Sequence, residues 1–298
     1  MEKYLKSCIA AAIAGGNAVK AYDPKHGRAV EKGDKDVGHH AIVTEADYFS
    51  QQKILASLKH HDGDAMFMTE EHLKDDYSKK HLMTPENLDM LNTGRVYIID
   101  ELDGSSSRNA GHYEWSVSVG CVDRMKHVAG AVFAPEIRGG TMFFASEGNG
   151  AFAWKIEGNP EQTFIKDRNV KDFYVIMGPD CFLPKYPVHN RLVNALSEKV
   201  RTTNSVGSCA LGMGLVSSGV ADAIVQPLHS PWDWAAGKIL VEEAGGGIIF
   251  YEIEGGKLTR LERLEPRHYS PDKRAVAFVA GSKPAIGFVD GLIETLQA

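Results

Sequence analysis

In the stretch 45–58 the apolar residues Ala46, Phe49, Ile54 and Leu58 fall on a helical stripe that opens just after Thr44, and residues 2–22 also read as a helix. Between these two segments the chain changes character. Residues 23–38 are charged, contain glycine and follow no period, which predicts a loop, and Ile42-Val43-Thr44 is a short apolar element after it. Further on the period shortens. His60-His61-Asp62-Gly63-Asp64 reads as a turn, and Ala65-Met66-Phe67-Met68-Thr69 as a short strand that delivers Glu70 and Glu71 at its end. Beyond a polar stretch at 74–92, Val96-Tyr97-Ile98-Ile99 predicts a strand ending at Asp100. Trp115-Ser116-Val117-Ser118-Val119 alternates with period two, and 128–133 and 141–145 continue a strand-rich meander with turns at 136–140 and 147–150.

The second half has a different texture. Residues 188–200 and 209–218 read as helices and Ala223-Ile224-Val225 as a strand. A strong helix over 234–244 stops at Gly245-Gly246-Gly247, with the strand Ile248-Ile249-Phe250 after it. Val276-Ala277-Phe278-Val279 is a further strand and 285–296 a closing helix. Loose alternation of strands and helices predicts a layered α/β or α+β sandwich. The expected division is an N-terminal α+β lobe, 1–160, and a C-terminal α/β lobe, 161–298, packed as one functional unit.

Composition narrows the classes. With 298 residues, 43% hydrophobic and 24% charged, the chain is long enough for a sizeable core and ordinary for a folded protein. A formal net charge of -6 disfavours a nucleic-acid binder working through a broad basic face. The four cysteines, Cys8, Cys121, Cys181 and Cys209, form no C-x-x-C pair and no disulfide framework, so a reducing compartment is expected. Lys3 and Lys6 before an alanine-rich run faintly resemble a signal peptide, but the run is short and an N-terminal helix is the better reading. Nowhere is an apolar stretch long enough to span a bilayer. A cytoplasmic protein with no nucleic-acid and no membrane partner is expected.

The sharpest chemistry lies in Ile98-Ile99-Asp100-Glu101-Leu102-Asp103-Gly104-Ser105-Ser106. An apolar strand ends and two aspartates follow, so a glycine-bearing turn can aim both carboxylates, and the Leu102 carbonyl, to one side. Hard divalent cations take oxygen ligands of this kind, and the small residues Gly104, Ser105 and Ser106 leave backbone N–H groups open to a phosphate. It is not an EF-hand loop. Thr69-Glu70-Glu71 follows a strand, and Trp232-Asp233-Trp234-Ala235-Ala236-Gly237 places Asp233 at or near a helix N-terminus. Alone, Glu70 is explained as a solvated strand end and Asp233 as a plain N-cap. Jointly they ask for another reading.

Together, Glu70-Glu71, Asp100-Glu101-Leu102-Asp103-Gly104-Ser105, Trp232-Asp233-Trp234-Ala235-Ala236-Gly237 and Glu243-Ala244-Gly245-Gly246 resemble the inositol monophosphatase family of metal-dependent, lithium-sensitive phosphatases. Weaker matches at Val43-Thr44-x-x-Asp47, at 205–208 and at 219–223 extend the resemblance over most of the chain. It implies an αβαβα layered sandwich, an α+β fold, and a homodimer. It implies that Glu70, Asp100, the Leu102 carbonyl, Asp103 and Asp233 hold two or three Mg2+ ions, the arrangement that suits in-line phosphoryl displacement. Glu70 with Ser105 would activate the attacking water, Asp47 and Glu71 would lie near the site, and Gly104, Ser105 and Ser106 would hold the phosphate. Asp103, Ser208, Gln226 and Asp233 would face the substrate.

The sequence departs from the family pattern in several places. Glu101 stands where proline is usual, which makes the turn less rigid. Ser105 replaces threonine and keeps the hydroxyl. Ala41 stands for an aspartate and Arg108 for an aromatic residue. Gln226 falls where these phosphatases place a glutamate that contacts substrate hydroxyls, and it carries no charge. The expected substrate is therefore inositol monophosphate or a related small sugar phosphate. The alternatives are 3'-phosphoadenosine 5'-phosphate or fructose 1,6-bisphosphate, with Arg191 or Lys185 reaching a second phosphate, and a non-catalytic metal-binding module on the same scaffold. His39-His40 and His60-His61 read as solvated residues, and Tyr113, Trp115, Trp232 and Trp234 as packing residues.

Overall fold

A helix with one apolar face and a sheet with two apolar faces each need a cover, and stacking them in alternate layers supplies it. The computed structural model describes residues 2–22, 30–31, 42–71 and 76–297. The helices are α1 (Glu2–Ala21), α2 (Glu45–Asp62), α3 (Asp76–His81), α4 (Ser105–Asn109), α5 (Pro187–Ser197), α6 (Cys209–Ser217), α7 (Pro231–Glu243) and α8 (Lys283–Gln297). Strands β1 (Val30–Glu31) and β2 (Ile42–Val43) form a small antiparallel ribbon. His39, His40 and Ala41 lie outside the described residues, as does most of the expected 23–38 loop.

The first sheet runs in chain order through β3 (Met66–Thr69), β4 (Arg95–Asp103), β5 (Ser116–Asp123), β6 (Lys126–Ala134), β7 (Thr141–Ser146), β8 (Ala151–Lys155) and β9 (Glu161–Thr163). Only β3 and β4 pair in parallel; the rest is an antiparallel meander. The second sheet comprises β10 (Tyr174–Met177), β11 (Thr202–Asn204), β12 (Ala223–His229), β13 (Gly247–Glu254), β14 (Lys257–Arg260) and β15 (Val276–Gly281), in the order β11-β10-β12-β15-β13-β14.

Three apolar cores separate the layers. Cys8, Ala11 and Ala12 of α1 and Ile54, Leu55 and Leu58 of α2 pack on Tyr97, Ile99, Val117 and Val119. Leu211 and Met213 of α6 and Trp234, Ala235, Ala236 and Leu240 of α7 fill the space between the two sheets. Leu192 and Leu196 of α5 and Val289 and Ile293 of α8 cover the far side of the second sheet. The layer order is therefore α, β, α, β, α, the αβαβα sandwich expected.

The period-two strand at 116–119 shows how the layers meet. Val117 and Val119 enter the α1–α2 core, while the alternate Ser118 donates from Oγ to Trp232 O on α7 at 3.2 Å. The polar face of β5 is covered, not solvated. Helix α7 approaches unusually closely here. A Cβ on Gly120 would lie 2.9 Å from Ala236 N, and one on Gly130 would lie 2.7 Å from Ala236 O. Close contact on the other side of α7 needs Gly237, whose Cβ would meet Met213 Sδ at 2.3 Å. The Ala-Ala-Gly run thus seats the helix that carries Asp233. At its far end Glu243 accepts from Gly148 N and Gly150 N, both at 2.8 Å, tying α7 to the β7–β8 turn.

Some sequence boundaries move. Residues 60–62, expected in a turn, form the last turn of α2. Asp62 there meets Arg95 at 2.6 Å and Tyr97 Oη at 3.1 Å, tertiary contacts that extend the helix. Helix α7 begins three residues earlier than expected, so Asp233 occupies its third position, with Ser230 as N-cap. Tyr113 is 67% exposed and so does not pack, whereas Trp115, Trp232 and Trp234 are buried. All four cysteines are buried and free.

Candidate active site

Residues three apart on a regular strand point to opposite faces. Asp100 and Asp103 do not, because the β4–β5 register shifts between them. That irregularity re-aims the chain, as bulges do, and carboxylate oxygens of Asp100, Asp103 and Asp233 lie within 4.8 Å of one another. Leu102 N–H donates back to Asp100 Oδ1 at 3.0 Å and closes the turn. Gly104 follows with φ of +92°, and a Cβ there would sit 2.8 Å from Glu114 O, so both backbone and space require glycine.

Asp233 arrives from α7. Its Oδ2 accepts from Ser230 N and His229 Nδ1, each at 2.9 Å, a capping box that fixes the carboxylate at the helix N-terminus. Glu70 arrives from the end of β3, and it forms a second acidic group with Asp100 and Glu101, again with ligand atoms within 4.8 Å. Glu101, at the position where proline is usual, belongs to this group. It is 1% exposed, its carbonyl accepts from Ser50 Oγ at 2.7 Å, and its Oε1 accepts from Glu71 N at 3.3 Å.

Ser105 Oγ lies 2.8 Å from both Asp47 Oδ1 and Leu102 O. It has one proton for two acceptors. Asp47 is held in turn by Thr44, whose N–H and Oγ donate to Oδ2 at 2.8 and 2.6 Å. Asp47 is buried behind Ser105 and reaches the cavity only through it.

These groups open on a cavity of about 410 Å³ whose lining includes Glu70, Asp100, Leu102, Asp103, Gly104, Ser105, Ser106, Gln226 and Asp233. Ser208 is not on that wall. It is fully buried, donates from Oγ to Asp103 Oδ2 at 2.6 Å, and caps α6 by accepting from Leu211 N. The structure places Ser208, expected from sequence to face the substrate, against Asp103. Neither Arg191 nor Lys185 lines the cavity. Among the described residues the lysine or arginine that does is Arg274, which sequence reasoning missed along with Asp180, Glu101 and His229. Glu101 lies within the Asp100–Asp103 turn, whereas Asp180, His229 and Arg274 meet because they sit at or beside the ends of β10, β12 and β15, neighbours in the second sheet that are far apart along the chain.

The electrostatics are those of carboxylates crowded away from water. Burial, with Glu70, Asp103 and Asp233 alongside, pushes the Asp100 carboxyl far above its ordinary value. Burial and Asp233 push Asp103 up to about 7, against the pull of Ser208 and the Ala210 amide. Burial also disfavours the Asp233 charge, but His229, Arg274 and the Ser230 amide outweigh it and hold this carboxyl low. An all-oxygen donor set, mutually repelling and buried, fits hard divalent cations, whose charge relieves the repulsion.

Comparison with known proteins agrees with the geometry. The family model described as the inositol monophosphatase family matches residues 1–278. A fructose-1,6-bisphosphatase/inositol-1-monophosphatase of Aquifex aeolicus is 26% identical over 252 residues, covering 83% of this chain and 85% of that protein. A Nus factor SuhB of Xylella fastidiosa is 31% identical over 175 residues, 57% of this chain and 60% of the relative. Among solved structures, the Thermotoga maritima IMPase superposes with a TM-score of 0.72 at 22% identity, covering 99% of this chain and 98% of that one, which shows the shared fold. With its αβαβα layers and its buried carboxylate cluster, the chain belongs to the inositol monophosphatase family.

Proposed function

We propose that the chain is a magnesium-dependent phosphomonoesterase acting on inositol monophosphate or a related small sugar phosphate. The observation that carries this reading is the convergence of Glu70, Asp100, Asp103 and Asp233, from three separate chain segments, on one cavity beside Gly104-Ser105-Ser106. Glu70, Asp100, the Leu102 carbonyl, Asp103 and Asp233 would hold the cations. When bound, magnesium supplies charge neutralisation for the phosphate and acidity for the attacking water.

The chain's own share is positioning. Asp47, locked by Thr44, orients the Ser105 hydroxyl toward the cavity, and Ser105 with Glu70 would hold the attacking water and take its proton. The backbone N–H groups at the start of α4 have no partner within the helix and would bind the phosphate oxygens. Asp233 and Gln226 would lie on the side of the leaving alcohol. Division into lobes 1–160 and 161–298, a homodimer, lithium inhibition and a cytoplasmic location belong to the same reading. The lobes would act as one unit, because Asp233 must meet Asp100 and Asp103.

The test is phosphate release from inositol 1-phosphate, fructose 1,6-bisphosphate and 3'-phosphoadenosine 5'-phosphate, with magnesium, with a chelator and with lithium. Magnesium-dependent release supports the proposal. No release from any of them, or release that survives chelation, overturns it.

A further inference from the structure

On the inner face of the first sheet, the last strands β7, β8 and β9 leave a hollow. Residues paired across neighbouring strands share a face. The registers pair Phe143 with Ala153, Ala153 with Glu161, Thr141 with Lys155, and Ala151 with Thr163. Phe143 belongs to the core between the two sheets, and a Cβ on Gly214 of α6 would lie 2.6 Å from its ring, so this whole set faces α6. Core-facing positions of a sandwich are ordinarily apolar, yet Lys155, Glu161 and Thr163 are polar. The small side chain of Ala153, between Phe143 and Glu161, leaves space that the end of α6 and Val220 close over. The result is a cavity of about 240 Å³ that shares no described lining residue with the active-site cavity.

Its wall combines an apolar surface with charge of both signs. Ile137, Phe143, Leu215 and Val220 are apolar, Arg138 and Lys155 are positive, and Glu161 is negative. Although opposite charges line one small cavity, none of the three forms an ion pair with any described residue. They are held apart across the space. The hydroxyl of Thr163 is buried there without a hydrogen-bond partner among the described residues. Arg138 itself has φ of +52°, a left-handed conformation that costs an arginine more than a glycine. A molecule carrying both charges on an apolar body would satisfy both ends at once.

We propose that this cavity is a second ligand site, and that it binds a free α-amino acid with an apolar side chain. The carboxylate would lie between Arg138 and Lys155, the ammonium against Glu161 and the Thr163 hydroxyl, and the side chain on Phe143 and Leu215. A space of about 240 Å³ is smaller than the pockets that take drug-sized ligands, and suits a molecule of this size. The inference is independent of the phosphatase reading.

The experiment is calorimetry on the full chain with leucine, phenylalanine and probes that each lack one feature of leucine. These are 4-methylpentanoate, without the ammonium, 3-methylbutylamine, without the carboxylate, and glycine, without the side chain. Leucine or phenylalanine is expected to bind saturably with a Kd of about 1 mM or tighter, and each probe about tenfold or more weakly, the range of one charged hydrogen bond or one buried apolar group. Glu161→Gln should bring leucine down toward the affinity of 4-methylpentanoate. The double variant Arg138→Gln, Lys155→Gln should bring it down toward that of 3-methylbutylamine. These side chains are exposed at the rim and outside the active site, so the thermal midpoint should stay unchanged, which separates loss of the site from loss of the fold. Ala153→Leu fills the hollow and should abolish binding; if it does not fold, the charge variants decide. No saturable binding of either amino acid overturns the inference. So does 4-methylpentanoate binding as tightly as leucine, or full leucine affinity in both charge variants.

Discussion

Ser208 Oγ donates a 2.6 Å hydrogen bond to Asp103 Oδ2 across 105 residues of chain. Ala210 N–H donates to the same oxygen, also at 2.6 Å, and Ser116 Oγ lies 2.9 Å from Ser208 Oγ. One hydroxyl therefore does two tasks. It caps α6 and it orients a candidate metal ligand that would otherwise be a buried, repelled carboxylate.

Ser208→Ala removes both tasks. Partners that orient metal ligands are typically worth about tenfold to a hundredfold in metal affinity, and loss of the cap costs about 1 kcal/mol. Magnesium titration by calorimetry should show the weakening. Unchanged affinity would detach Ser208 from the site.

Glu101 shares the space of Glu70 and Asp100. Removing its charge without changing its shape, as Glu101→Gln, should weaken divalent-cation binding by about tenfold. Metal-dependent shifts in the thermal midpoint read this independently of turnover. Equal shifts in variant and wild type would make Glu101 a bystander.

His127 lies outside the site and reports on the fold. Buried between β6 and α7, it donates from Nδ1 to the Ala235 carbonyl at 2.9 Å and accepts at Nε2 from Tyr269 Oη at 2.8 Å. Burial, with Lys238 nearby, lowers its pKa from 6.5 to about 3. Above the unfolded value nothing is lost. As pH falls from about 6.5 toward 3, the unfolded chain binds a proton that the folded chain does not, and stability falls by up to about 1.4 kcal/mol per pH unit. Denaturation at pH 7 and pH 5 should differ by about 2 kcal/mol more in wild type than in His127→Gln. The same difference in both would show that His127 is not the group responsible.

Gly130→Ala tests the close seat of α7. The new methyl would face Ala236 O at 2.7 Å and Ala236 Cα at 3.1 Å, and backbone cannot swing aside as a side chain can. A cost of about 1–3 kcal/mol is expected. Because α7 carries Asp233, magnesium affinity should fall with it. Destabilisation without any change in affinity would mean that the helix moves away without displacing Asp233.

Much of this was legible from residue order. Periodicity located most helices and strands, because burial of one face is written at 3.6-residue or two-residue spacing. The carboxylates Glu70, Asp100, Asp103 and Asp233 stood out because each adjoins an element end or a turn whose residues have local signatures. Other features carried no such mark. Residues 60–62 have turn-like composition, yet α2 extends through them because Arg95 and Tyr97, from another layer, hold Asp62. Ser208 matched a motif, but its burial against Asp103 depends on where α6 meets β4.

The cavity wall shows the same division. Gln226 could be named from its spacing to Asp233, and its partner His229 lies three residues on in β12, whereas the company of Asp180 and Arg274 follows from the pairing of β10 and β15 on either side of β12. The sequence by itself determined the layered class, the acidic motifs and the chemistry they imply, since these depend on neighbours in the chain. Tertiary structure alone decided that Glu101 joins the cluster, that Ser208 is buried against Asp103, and that Arg274 and not Arg191 or Lys185 lines the cavity. Such contacts join residues tens to more than a hundred positions apart, and only the packing of layers brings them together.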